Sequence, residues 1–86
     1  MNAYCRIRIE EAERQKDGSL LWTIEVQPGG DRPTIQRARF AQPANDPHSF
    51  GDPGDEAVYG AQVDLAADSR VTDLYVAGQS YKLYPV

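Results

Sequence analysis

The stretch YCRIRIEEAERQKDGSLLWTIEVQ, residues 4–27, decides the fold. Cys5, Ile7 and Ile9 alternate in it with Arg6, Arg8 and Glu10, and Trp22, Ile24 and Val26 alternate with Thr23, Glu25 and Gln27. A two-residue period marks a strand with one buried face, so strands are predicted over 4–10 and 20–27. Between them stands Lys16-Asp17-Gly18-Ser19. Its Asp-Gly pair signals a tight hairpin, because both central positions of such a turn must accept positive φ. A two-residue loop would set Glu11 and Glu13 opposite Ile24 and Trp22, turning carboxylates toward the core. A β-bulge near Glu10 or Glu11 would flip the later side chains and remove that conflict. The rival is a short helix over 9–16, with Glu10 and Arg14 spaced i,i+4 and Gly18 past its end.

Working outward, the Pro- and Gly-rich stretch 28–33 reads as a turn. A third strand over 34–41 has weaker apolar character, with Gln36, Ala38 and Phe40 on one side and Ile35, Arg37 and Arg39 on the other. Residues 42–56 are dominated by Pro, Gly, Asp and Asn and are expected to form a long exposed loop, above the usual connection length. A fourth strand is predicted over 57–65 with Tyr59, Ala61, Val63 and Leu65 inward, followed by a turn or one helical turn over 66–70. The last hairpin joins 71–77 to 80–86 through Gly78-Gln79, a Gly-X pair suited to a type II′ turn. That turn pairs Leu74 with Leu83 and Val76 with Tyr81 on one face, and leaves Asp73, Tyr75, Lys82 and Tyr84 on the other.

The whole indicates an all-β fold, or a β-rich one with at most one short helix. The expected form is a small antiparallel sandwich or partly open barrel of five to six strands. The 86 residues suffice for a single domain over 1–86, which would bury about 60–65% of the surface its unfolded chain exposes. With 41% hydrophobic and 26% charged residues, disorder is not expected. Strand signals reach nearly to both ends, as in a complete minimal domain. No apolar run is long enough to span a bilayer as a helix, and the first residues lack signal-peptide order. A cytoplasmic setting is expected, and the lone Cys5 suits a reducing one.

The net charge of −4 is unevenly spread. Residues 1–41 hold seven Lys and Arg against six Asp and Glu, whereas 42–86 hold two (Arg70 and Lys82) against seven. An acidic second half disfavours binding to a nucleic-acid backbone and favours a basic partner surface. Arg6, Arg8, Arg37 and Arg39 form a secondary basic patch around Glu25 if the first three strands make a meander. Guanidinium groups bind carboxylates and phosphates bidentately, but a solvated face crossed by pairs to Glu10 and Glu25 accounts for the same residues.

Chemistry-bearing residues are sparse. Asp46, His48, Asp52, Asp55 and Glu56 could gather on a divalent cation, yet their spacing matches no EF-hand, and Pro43, Pro47 and Pro53 keep the loop extended. Cys5 with His48 is the one thiol–imidazole combination, and Cys5 falls on the core face. No phosphate-binding loop is present. The expectation is therefore no catalytic residue, no metal and no cofactor. Tyr75 and Tyr84 face outward beside Lys82, and tyrosine is enriched in protein interfaces. Asp73-Leu-Tyr-Val-Ala-Gly-Gln-Ser-Tyr-Lys-Leu83 is similar to the closing hairpin of some small phage head-to-tail connector domains, a pattern that many unrelated β domains share.

These readings favour a non-enzymatic protein-binding module, of inhibitor or adaptor type, that presents its acidic second half to a basic partner protein. Its interface candidates are Asp52, Asp55, Glu56, Asp73, Tyr75, Lys82 and Tyr84. The alternative is a structural subunit, such as a phage-type connector or assembly component, that forms a homo-oligomer through terminal edge strands.

Overall fold

The computed structural model describes residues 2–29, 34–52, 54 and 61–86. Among these, seven strands and no helix are found: β1 (Asn2–Arg14), β2 (Leu20–Pro28), β3 (Gln36–Gln42), β4 (Gln62–Leu65), β5 (Val71–Val76), β6 (Gln79–Lys82) and β7 (Tyr84–Pro85). All neighbours are antiparallel, in the order β6-β5-β4-β1-β2-β3-β7. Only Leu83 separates β6 from β7, so one C-terminal segment supplies both outer strands of the sheet. The sheet thereby curls into a nearly closed barrel. The expected partly open barrel holds, with seven strands because the last one is divided.

Alternation within that segment explains the division. The Leu83 N–H donates to the Thr72 carbonyl (2.9 Å), which directs the backbone groups of Leu83, Tyr81 and Gln79 to β5. The Val86 N–H donates to the Arg37 carbonyl (3.3 Å), and Tyr84 pairs with Arg39. Odd-numbered residues thus serve β5, and even-numbered ones turn toward β3.

The first hairpin forms as a strand pair, and β1 continues through Arg14, which excludes the rival helix over 9–16. Its loop has three residues rather than two. The Gly18 N–H donates to the Gln15 carbonyl (3.0 Å), Gln15 N–H to the Ser19 carbonyl (2.8 Å), and Gly18 takes φ +88°. This is a type I turn followed by a left-handed residue. The extra residue sets Glu11 opposite Thr23 and Glu13 opposite Leu21. A bulge between Ile9 and Glu11 then restores Ile9 opposite Ile24, so the carboxylates leave the core side, as the bulge expectation required. The β4–β5 turn repeats the same geometry. Ser69 N–H donates to the Ala66 carbonyl (2.9 Å), Ala66 N–H to the Arg70 carbonyl (2.8 Å), and Ser69 has φ +66°.

Two expectations in the second half need correction. The final turn lies at Ala77-Gly78 rather than Gly78-Gln79, pairing Val76 with Gln79 and Leu74 with Tyr81. Both turn residues have positive φ, +50° and +81°, as in a type I′ turn. The register moves by two residues, which preserves the faces, and Leu74, Val76, Tyr81 and Leu83 are all buried. The loop over 42–56 is not simply exposed, because Phe50 is only 6% exposed and sits in the core. Its ring contacts Trp22, Phe40 and Tyr81 edge-on at centroid distances of 5.5, 5.1 and 5.4 Å. Of the predicted fourth strand, Gln62–Leu65 pairs with β1 and β5. Residues 57–60, including Tyr59, lie outside the described residues.

Ala77 occupies a left-handed conformation that costs a non-glycine residue about 1 kcal/mol, and it is exposed. Asn-Gly is the favoured type I′ pair. Ala77→Asn is therefore expected to raise unfolding free energy by about 0.5–1 kcal/mol in a urea titration, with an unchanged m-value.

Candidate functional site

Two of the seven acids of the second half, Asp64 and Asp73, stand on β4 and β5. Asp64 and Asp73 stand directly opposite each other in the β4–β5 ladder. Like charges in that position repel. The Tyr75 hydroxyl donates to Asp64 Oδ2 at 2.8 Å, and this bond to a carboxylate raises the phenol pKa above its ordinary value. On the other side of β5, Asp73 pairs in register with Lys82, whose Nζ lies 5.6 Å from the Tyr84 ring centroid, a cation–π arrangement. Asp73, Tyr75, Lys82 and Tyr84 thus follow one another across adjoining strands. Asp52 is an exposed loop residue, and Asp55 and Glu56 lie outside the described residues.

The four arginines lie on β1 and β3, on either side of β2. Arg8 is opposite Glu25, and Glu25 is opposite Arg37. Arg37 Nε also donates to Glu10 Oε2 at 2.9 Å, and that bond and charge push the guanidinium pKa up. With the Arg37 side chain half exposed, solvent screens the pair and it adds little to stability. Arg6 is opposite Gln27, and Arg39 is opposite Tyr84 across the β3–β7 seam. Barrel closure therefore joins the basic patch to Lys82 and Tyr84, a continuity hidden by their distance in sequence. Ile35 (59%), Tyr84 (54%) and Val86 (57%) are exposed on the same β3–β7 side.

Sequence reasoning missed the polar network at one end of β3. Gln42 is 4% exposed and accepts a bond from Trp22 Nε1 (2.9 Å) at Oε1. Its amide nitrogen donates to the carbonyls of His48 (2.6 Å) and Asp46 (3.3 Å), tying the loop to the barrel end. The Asp46 carboxylate accepts from the His48 N–H (2.9 Å) and from the Tyr81 hydroxyl. These donors, Tyr81 first, hold Asp46 below its ordinary value of 3.8, while burial and then the Asp46 bond push the Tyr81 phenol well above its ordinary range. His48 packs edge-on against Phe50 at 4.6 Å, and its buried Nε2 has no hydrogen-bond partner. At the other end of β3, Gln36 donates to the Ser69 carbonyl (2.9 Å) and accepts from Val71 N–H (3.0 Å). The available signal was the inward parity of Gln36 and Gln42 on a strand with Ala38 and Phe40 between them.

The hypothetical cation site divides accordingly. Asp46 is committed to Tyr81 and His48, and among the described residues no cluster of three or more His, Cys, Asp or Glu could hold a metal. Cys5 lies half-buried with its N–H donating to the Ala61 carbonyl (3.3 Å), and desolvation pushes its pKa to about 11. It is a protonated thiol at neutral pH, a weak nucleophile. Among the described residues, no helix is long and apolar enough to cross a membrane.

Gln42→Leu would orphan the buried Trp22 N–H and two loop carbonyls, and is expected to cost about 2–3 kcal/mol in denaturant unfolding. Adding Trp22→Phe should cost less than the sum of the single changes, because one orphan disappears. A depressed carboxylate pKa stabilises the fold above its unfolded value, and that contribution is lost as pH falls through the folded one. The stability difference between the unaltered chain and Asp46→Asn should therefore be constant above about pH 5 and narrow steadily below 3.8. Comparison with protein-family models, curated proteins and solved structures gives no match for this chain.

Proposed function

We propose that the chain is a non-enzymatic protein-binding module of inhibitor or adaptor type, acting in the cytoplasm, whose acidic sector docks on a basic partner protein. The observation that carries this reading is the direct opposition of Asp64 and Asp73 on β4 and β5. Two carboxylates facing across a ladder cost fold stability, and a cation from a partner placed between them relieves that repulsion. Tyr75 adds a half-buried ring beside the pair, with its hydroxyl directed to Asp64. Aromatic anchors next to charges are the usual composition of an interface centre. For the alternative of self-assembly through terminal edges, Asn2–Tyr4 is taken by β4 and Tyr84–Pro85 by β3, whereas β6 ends the sheet with an outer edge to offer.

The test separates binding from folding. Asp64→Asn with Asp73→Asn should leave the fold within about 1 kcal/mol of the unaltered chain, because relief of the carboxylate repulsion offsets the weakened Tyr75 bond and the lost Asp73–Lys82 pair. The same variant should retain at least tenfold less of the partners that the unaltered chain captures from its native host at low salt. Undiminished capture by the double variant would remove the acidic sector from consideration.

A further inference from the structure

On the side away from β2, β1 outruns its neighbour. The β4 ladder takes Asn2, Ala3 and Tyr4. Beyond them the Cys5 N–H donates to the Ala61 carbonyl (3.3 Å), and the Ile9 carbonyl accepts from the Gly54 N–H (2.7 Å). Past Ile9, among the described residues, no backbone bond reaches this side of the strand. From Glu11 to Asp17 every residue is exposed.

The turn and the bulge fix which groups stand on that edge. Gln15 bonds to Ser19 across the turn, so by alternation Glu13 and Glu11 direct their amides and carbonyls to Leu21 and Thr23. Ala12 and Arg14 direct theirs away from β2. Because the bulge inserts one residue, the parity is reversed at Ile9, which is why that odd-numbered residue faces Gly54. The edge therefore presents a donor and an acceptor at Ala12 and again at Arg14, the two-residue repeat of an extended backbone.

We propose that the Ala12–Arg14 edge of β1 is a second binding site, independent of the Asp64–Asp73 sector, which takes an extended basic segment of a partner protein as an antiparallel added strand. Main-chain bonds to Ala12 and Arg14 supply the attachment, as in strand addition generally. Charge selects the occupant. Residues opposite Glu11 and Glu13 lie on the face of these carboxylates, neither of which has a hydrogen bond or a contact ion pair among the described residues. Glu10 is held by Arg37, and Arg14 turns its guanidinium back to the Gly18 carbonyl (3.2 Å). A Lys or Arg opposite either glutamate gains an opposite-charge cross-strand pair, and an acidic residue is repelled. The same charges refuse a second copy. Every antiparallel register centred on Glu11, Ala12 or Glu13 sets a glutamate of one copy opposite a glutamate of the other.

The probes are two blocked hexapeptides, one alternating Lys and Thr and one alternating Glu and Thr, titrated into the full chain and followed by amide NMR. The Lys peptide should shift the amides of Ala12 and Arg14 saturably, with a Kd near or below about 1 mM, and move those of Glu11 and Glu13 less. It should bind at least about fivefold tighter than the Glu peptide, and Glu11→Lys with Glu13→Lys should reverse the order. With Lys opposite the glutamates, the Thr nitrogens face the edge. Methylating them should weaken binding at least about tenfold, whereas methylating the Lys backbone nitrogens should weaken it far less. Equal binding of the two methylated peptides would overturn the proposal in favour of charge attraction alone. Absence of saturable shifts up to about 10 mM would overturn it outright. Shifts of these amides with protein concentration alone would also overturn it, giving the edge to a second copy. Asp64→Asn with Asp73→Asn should leave the titration unchanged, so the two sites fail or stand separately, and loss of the shifts in that variant would assign them to the other sector.

Discussion

One segment has to satisfy two sheet edges. Residues 79–86 bond to β5 through odd positions and to β3 through even ones, and this double service converts an open six-strand sheet into a barrel. Without it, β3 and β5 would each expose a row of backbone donors and acceptors, and Phe40 and Leu74 would lose the cover of Tyr81 and Leu83. Phe40 and Tyr81 rings, 5.1 Å apart, meet inside the barrel where the two edges converge. The constraint also has a cost. The segment does not hydrogen-bond to both edges along its whole length, so β6 pairs with β5, β7 pairs with β3, and a groove lies beside Ser80 and Lys82.

The barrel ends are sealed by polar side chains from a single strand. The inward row of β3 runs Gln36, Ala38, Phe40, Gln42, apolar in the middle and amide-bearing at each end. Each glutamine saturates backbone groups of a loop crossing its end, the turn 66–70 in one case and the segment 46–48 in the other. A buried amide is tolerated because its donors and acceptors are matched. Phe50 enters the core through the loop that Gln42 fastens, so a stretch rich in proline and glycine contributes one wall of the aromatic cluster.

Which parts of this were legible in the sequence follows from the physics of each signal. Alternation located β1, β2 and β5 and the inward sets Ile7/Ile9 and Trp22/Ile24/Val26, because side-chain parity is a local property. The bulge at Glu10 was readable as a conflict between carboxylates and the core. The turn at Ala77 was not, since alanine rarely takes positive φ and Gly-Gln offered a commoner solution one residue on. Even so the faces survived, because the error in register was even. Gln42 and Phe50 were hidden by composition, standing among prolines that announce a loop. The division at Leu83 depends on pairing with two distant strands, which no local pattern encodes. For the site residues, sequence separated the arginines of β1 and β3 from Lys82 and Tyr84, and only the β3–β7 pairing puts Arg39 beside Tyr84.

Charge, as a result, is arranged by sector rather than by half of the chain. Asp64 and Asp73 face outward on β4–β5, arginines on β1 and β3, and Lys82 with Tyr84 stands between the two. All of this follows from the closure of the β3–β7 seam, where Ala38 and Pro85 form a non-hydrogen-bonded pair with closely approaching Cα atoms. The decisive measurement is a NOESY spectrum of the Ala38 and Pro85 Hα protons in the intact chain. A closed seam gives a strong cross-peak between them, with a slowly exchanging Val86 amide. No cross-peak, with the Val86 amide exchanging at the solvent rate, would mean an open sheet.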